Sequence, residues 1–311
     1  MKTGSLSQEK KKNLRLFLRR MTARKIVLFG LIGTLFFVIL ALFAPLIATV
    51  DPNEMAMLDK LADPSSTHWF GTDMYGRDIL VRVMYGARVS MSVGICAAFL
   101  VLVIGATYGA ISGYCGGKVD AVMQRIVEVI YAVPEMLVVL LIATALKPIL
   151  TNYINTGSGP LKSFVSVLGP NLISMFIAFG MLYWVTMSRI IRGQVLQLKQ
   201  QEYVTAARAL GASGKRIILR HLIPNCIGQI VVTTCLQIPS AIFLESFLSY
   251  LGVGVSAPLP SLGSMATDAL SGMYTYTYRL IIPSVILSIM ILAFNLFGDG
   301  LRDALDPKLK K

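Results

Sequence analysis

The sequence predicts an all-α integral membrane protein with six transmembrane helices, and three observations carry that prediction. Apolar runs of roughly 19 to 25 residues recur along the chain, each long enough as a helix to cross a hydrocarbon core about 30 Å thick. The composition, 55% hydrophobic and 14% charged with a mean hydropathy of +0.68, excludes an ordinary soluble domain. The cations, finally, flank the apolar runs. An excess of 29 Lys+Arg over 16 Asp+Glu, or +13, would also suit a nucleic-acid binder. Basic patches interleaved with aromatics are missing, however, so the partner expected for this charge is the lipid bilayer and not nucleic acid.

Taken in order, residues 1–25 form a basic tail with nine Lys or Arg. Residues 26–48 follow as a first span of 23 mostly apolar residues, roughly 34 Å of helix. A cleaved leader would have a shorter apolar core and a small-x-small cleavage site, so this span is read as retained. Residues 49–88 make a polar segment without a run long enough to cross. Five further spans lie within a core of residues 89–303, at about 89–112, 125–146, 171–190, 226–250 and 280–298, and residues 304–311 form a short tail. Six spans put both termini on one side. That side carries 22 Lys and Arg against 7 on the other, which by the positive-inside rule is the cytoplasm.

Within the spans, Gly105, Gly109 and Gly113 recur on one helix face, a spacing that lets helices approach closely. Pro134, Pro239 and Pro283 are expected to bend helices or free carbonyls. Glu128, Glu135 and Glu245 fall at or within membrane depth, where a carboxylate marks either a site or a buried polar partner. Cys96, Cys115, Cys226 and Cys235 lack metal-ligand spacing and read as small apolar residues, so no metal site is expected.

Between the fourth and fifth spans lies a polar, basic island, Gln200 to Asn225. Glu202 to Leu210 reads as a helix with its acid in the first turn and Arg208 near the last. Gly211 supplies a stop that tolerates positive φ, and Ser213 caps a second short helix bearing Lys215, Arg216 and Arg220. Pro224 is expected to end that helix. Ala206 and Ala207 are small enough for another surface to come close. The bland alternative is an interfacial loop at the headgroups of a channel or a membrane scaffold.

Catalysis by the chain itself is not expected. Gly116-Gly117-Lys118 is an incomplete phosphate loop, with Ser112 in place of the leading glycine and Val119 in place of the magnesium-holding hydroxyl. Zinc-protease and nucleophile-elbow motifs are missing as well.

Ala206-Ala207, then Gly211, then Pro224 resembles the EAA loop of ATP-binding-cassette importer permeases, although Thr205, His221 and Ile223 depart from that pattern. Tyr203 to Ala212 looks like the form found in the peptide-importer branch. His68 to Asp73, Gly76-Arg77-Asp78, Arg82, Tyr85 to Arg88 and Ser90 are similar to the segment before the second span in C-type permease subunits of dipeptide and oligopeptide importers. Glu245 to Gly263 and Gly298 to Pro307 are similar to other parts of those subunits, with Leu262 where many members have Trp.

The resemblance implies the type I importer permease fold in a bacterial inner membrane. It also implies a B-type permease partner forming a heterodimer, two ATPase subunits that hold ATP and magnesium, an extracytoplasmic solute-binding protein and a peptide substrate. Nickel or glutathione is the alternative cargo. Residues 199–224 would be the coupling loop seated in the ATPase, with Ala206, Ala207, Gly211 and Pro224 shaping the fit and Glu202, Arg208, Lys215 and Arg216 as polar contacts. Glu135, Glu245, Ser249, Gly252 and Gly254 are the expected pathway residues. Asp73 and Asp78 against Arg77, Arg82 and Arg88 read either as a charge-paired surface turn or as part of a platform for the binding protein. The insertion 147–170 offers no resemblance that can be used.

Overall fold

The computed structural model describes residues 21, 24–48, 50–255 and 257–305. The tails at 1–20, 22–23 and 306–311, with Asp306 and Pro307 of the terminal motif, lie outside them, as does Ser256 of the loop after the fifth span. Twelve α-helices and no strand occur among the described residues. In chain order they are α1 (Lys25–Ile47), α2 (Ile79–Cys115), α3 (Gly117–Tyr131), α4 (Glu135–Thr156), α5 (Pro160–Leu168) and α6 (Pro170–Leu182). There follow α7 (Trp184–Leu198), α8 (Glu202–Ala209), α9 (Gly214–Ile217), α10 (Ile223–Tyr250), α11 (Leu262–Ala269) and α12 (Tyr278–Leu305). Among the described residues, six stretches are long and apolar enough to cross a membrane: α1, α2, α4, α6 with α7, α9 through α10, and α12.

Helix α2 is the axis of the bundle. It carries α7 along one side and α10 along another, while α1 runs beside α12 and α4 pairs with α6. The glycine face explains the first contact. A methyl on Gly105 would meet the Met187 side chain at 2.6 Å, one on Gly109 would overlap the Ser188 carbonyl oxygen, and one on Gly113 would lie 2.9 Å from the Arg192 carbonyl. The nearest α7 carbonyls, those of Trp184, Ser188 and Arg192, step along that helix one turn at a time, so the α2 backbone lies against α7 along a face where α2 carries no side chain. Gly109→Ala is therefore expected to push α2 off α7 at a cost of about 1–3 kcal/mol, read as lower thermal stability in detergent.

The bundle departs from the predicted spans in three places. The second helix starts at Ile79, ahead of the expected start near residue 89, because Asp78 caps it: its carboxylate accepts from the Val81 N–H at 3.1 Å. The third span begins at Glu135 and not near residue 125. Residues 132–134 break the helix, as Pro134 disfavours α geometry in the residue before it, and α3 is left as a separate amphipathic helix that buries only Val127. The span then runs on to Thr156, so residues 147–156 are helical. Pro224, lastly, ends nothing. A π-helical turn at Ile218–Leu222 leads directly into α10, and Pro224 sits in its first turn, where a missing N–H is tolerated.

The charged segment before α2 is a buried knot and not a surface turn. Asp73, Arg77 and Arg82 are each 5–7% exposed. The Asp73 carboxylate accepts from Arg77 Nε at 2.7 Å and from Arg82 Nη1. Asp78 turns instead to His68 Nδ1 at 2.8 Å, and Arg88 remains exposed.

Candidate functional site

Two places combine exposed or polar side chains with a firm scaffold. The first is the elbow between α7 and α10. Gly211 has φ +81°, open space where a Cβ would stand, and an N–H bonded to the Arg208 carbonyl, so it closes α8 as a left-handed terminator. The Ser213 hydroxyl accepts from the Arg216 N–H at 3.4 Å and starts α9.

Val204, Ile217 and Leu222 are fully buried. They join Val101, Ala106, Met187, Ile191 and Cys226 in one apolar cluster shared by α2, α7 and α10. The elbow is therefore keyed into three helices at once. Its outer surface presents Glu202, Ala206, Arg208, Gly211, Lys215, Arg216 and Pro224 exposed, with Ala207 half-buried. Leu210 stands almost wholly clear at 88% exposure, an unusual cost in water for a residue unless something covers it.

Tyr114, at the end of α2, underlies this surface. Its ring lies 2.9 Å from where a Gly214 methyl would sit, and the Arg208 guanidinium stands 5.8 Å above its centroid. Beside it, Asp120 of α3 binds Arg192 of α7 through both oxygens at 2.6 Å and accepts from Ser112 at 2.5 Å. The Arg192 guanidinium, aided by the Ser112 hydroxyl, holds the Asp120 carboxyl below the usual carboxylate range against the opposing effect of burial. Lys199 donates to the Gly113 carbonyl at 2.7 Å. These contacts pin the base of the elbow to the ends of α2 and α3.

The second place is a cavity of about 480 Å³ where three helix irregularities meet. The break at residues 132–134 supplies Val133 and Glu135. The interruption at Tyr183, between α6 and α7, supplies Tyr183 and Thr186. Helix α10, where Pro239 removes a backbone donor from the helix interior, supplies Gln237 and Ser240. The volume falls within the roughly 300–1,000 Å³ usual for small-molecule sites. The Tyr183 hydroxyl faces the Glu135 carboxylate.

The remaining expected pathway residues do not line this cavity. Glu245 is fully buried and caged: it accepts from Ser90 at 2.6 Å, Ser249 at 2.8 Å and Ser246 at 3.2 Å. Ser249 also accepts from the Val255 N–H at 2.8 Å. Gly254 packs on Ser249, and Gly252, with φ +79°, turns the chain out of α10. Together these four residues form a polar clamp between α2, α10 and the loop that follows. Glu128, the third carboxylate expected near membrane depth, lies on α3 and pairs with Arg125 at 2.9 Å on an exposed face.

Tyr183, Gln237 and Ser240 were not singled out from the sequence. The available signal was a pair of polar residues flanking Pro239 inside an apolar span.

The sequence profile described as "Binding-protein-dependent transport system inner membrane component" matches residues 105–311. The profile for the "N-terminal TM domain of oligopeptide transport permease C" matches residues 13–64. The chain is 43% identical to the oligopeptide transport system permease protein OppC of Bacillus subtilis (strain 168) over 311 residues, covering 99% of the chain and 95% of the relative. It is 41% identical to the dipeptide transport system permease protein DppC of the same organism over 294 residues, covering 94% and 85%. Against OppC of Escherichia coli (strain K12) the identity is 39% over 292 residues, covering 93% and 89%.

Proposed function

The chain belongs to the family of binding-protein-dependent transport system inner membrane components, and from that we propose that it is a permease subunit of an ATP-driven importer of dipeptides or oligopeptides. It forms half of a translocation path and draws its power from ATPase subunits bound at the elbow. The relatives' names support the peptide cargo. One observation carries the coupling role: an exposed patch of small and basic residues, Ala206 to Arg216, sits on three side chains buried among the spans. A plain interfacial loop has no need of such anchorage.

The partners in this reading are a B-type permease, two ATPases that bind ATP and magnesium, and an extracytoplasmic binding protein. The excess of Lys and Arg on the side of the elbow supports placing it and both termini in the cytoplasm, where ATP is. Closure of the ATPases then displaces the elbow, and the shared cluster passes that movement to α2, α7 and α10.

Gly211 offers the test. Any side chain there meets the φ of +81°, a strain of about 1–2 kcal/mol. Gly211→Ala carries that strain with little bulk, whereas Gly211→Trp adds a large ring to the docking face. Uptake of labelled oligopeptide is expected to fall at least about tenfold in the tryptophan variant relative to the alanine one, the equivalent of one lost close contact. Both proteins should remain in the membrane. Unimpaired uptake by Gly211→Trp would refute the docking role.

A further inference from the structure

The cavity at the three helix irregularities contains a charge that the fold leaves unbalanced. Among the described residues lining it, Glu135 is the sole carboxylate. No lysine or arginine among the described residues pairs with it, and its polar neighbour is the Tyr183 hydroxyl. Arg189 is held 4.1 Å over the ring of Tyr131, a lining residue, and is engaged there. A carboxylate at membrane depth is costly to keep without a partner. Other acids of this protein are satisfied within the chain: Glu245 by three hydroxyls, Asp120 by Arg192, Asp73 by two arginines.

Glu135 also has a local structural use, since an acid in the first turn of α4 favours the helix dipole. That accounts for an acid at this position. It does not account for a cavity of about 480 Å³ in front of it, or for a second wall of neutral polar groups at Thr186, Gln237 and Ser240.

We propose that Glu135, positioned by Tyr183, receives the α-ammonium group of the peptide as it passes through the permease, with the α10 wall offering neutral hydrogen-bonding groups to the peptide backbone. The inference rests on the peptide-import reading above. One charge-assisted contact, with no second charge fixed opposite it among the lining residues, suits a waypoint: strong enough to draw the ammonium in and weak enough to release it. It also makes the permease a second check on a free amino terminus, independent of the binding protein.

The experiment uses the full transporter with its binding protein in proteoliposomes, with tri-alanine and N-acetyl-tri-alanine as cargo. Initial rates are read at saturating peptide, so that affinity for the binding protein drops out. The wild type should move tri-alanine faster than its acetylated form. Glu135→Gln should slow tri-alanine about tenfold, the value of one charge-assisted contact, while leaving the acetylated rate unchanged, and Glu135→Asp should recover part of the loss. Tyr183→Phe should give a smaller loss with the same dependence on the free amine.

Equal rates for wild type and Glu135→Gln on tri-alanine would overturn the inference and leave the import reading intact. So would an equal loss for both peptides, which marks a structural role. Failure of the wild type to transport either peptide would overturn the import reading itself, and the inference with it.

Discussion

Asp73→Ala is expected to cost about 3–5 kcal/mol of stability, the range for removing one partner of a buried ion pair. The reason lies in what stays behind. The Asp73 carboxylate is 6% exposed and accepts from the guanidinium groups of both Arg77 and Arg82 and from the N–H groups of Tyr75 and Arg77. Without it, the only anion left to the two buried cations among the described residues is Asp268, whose carboxylate lies 3.5–3.6 Å from them and is 41% exposed. Asp268 belongs to α11, so the damage spreads from the segment before α2 to the outer loop. Asp73→Asn keeps the acceptor for the N–H groups but loses the charge, and should fall between wild type and alanine in thermal unfolding.

The same residue sets an acid limit. Burial pushes the Asp73 carboxyl up, but the Tyr75 N–H, the Arg82 guanidinium and the N–H and guanidinium of Arg77 together outweigh it, and the group is held below the usual carboxylate range. A depressed folded value means that the ionised form favours the native state. Its contribution is complete above the ordinary carboxylate value of about 3.9 and is lost as pH falls through that value toward the folded one. Wild type should therefore lose stability in that window by a step that Asp73→Asn lacks, as read by unfolding at a series of pH values. An identical acid profile in the two proteins would remove Asp73 from the account.

Features set by neighbours in sequence were legible before any coordinates. The six apolar runs, the positive φ of Gly211, the cap at Ser213 and the close face of Gly105, Gly109 and Gly113 all follow from local rules, and the structure contains each of them. Features set by distant neighbours were not. Arg77 and Arg82 look like surface charges until Asp268, from a helix nearly two hundred positions later, closes over them. Pro224 reads as a stop because the rule for the residue before proline is local, whereas the π turn that admits it is held by Ile217 and Leu222 in a cluster with α2 and α7. Of the two candidate sites, the elbow is continuous in sequence and could be read directly. The cavity is assembled from three separate stretches of chain, and only Glu135 among its residues stood out as a charge in an apolar run.

Glu245 is the other charge that stood out, and its surroundings separate a structural acid from a pathway acid. Ser90 and Ser246 donate to one carboxylate oxygen and Ser249 to the other, which joins α2 to α10. Ser249 in turn accepts from Val255 and so holds the loop that leaves α10. Glu245→Ala opens a void and strands three buried hydroxyls, each costing about 1–3 kcal/mol unless it turns to a backbone carbonyl. A net loss of about 3 kcal/mol or more is expected, seen as poor assembly and a lower melting temperature. Glu245→Gln should be mild. Its carbonyl can accept from Ser90 and Ser246, and its amide can donate to the lone pair of Ser249 that Val255 leaves unused. A structural acid therefore predicts that the glutamine variant folds and transports close to wild type. A substrate-binding acid predicts the reverse pattern, an alanine variant of normal stability and a glutamine variant that folds but transports poorly. The cage of three serines and the complete burial of Glu245 favour the first pattern, and unfolding and uptake measured on the two variants decide between them.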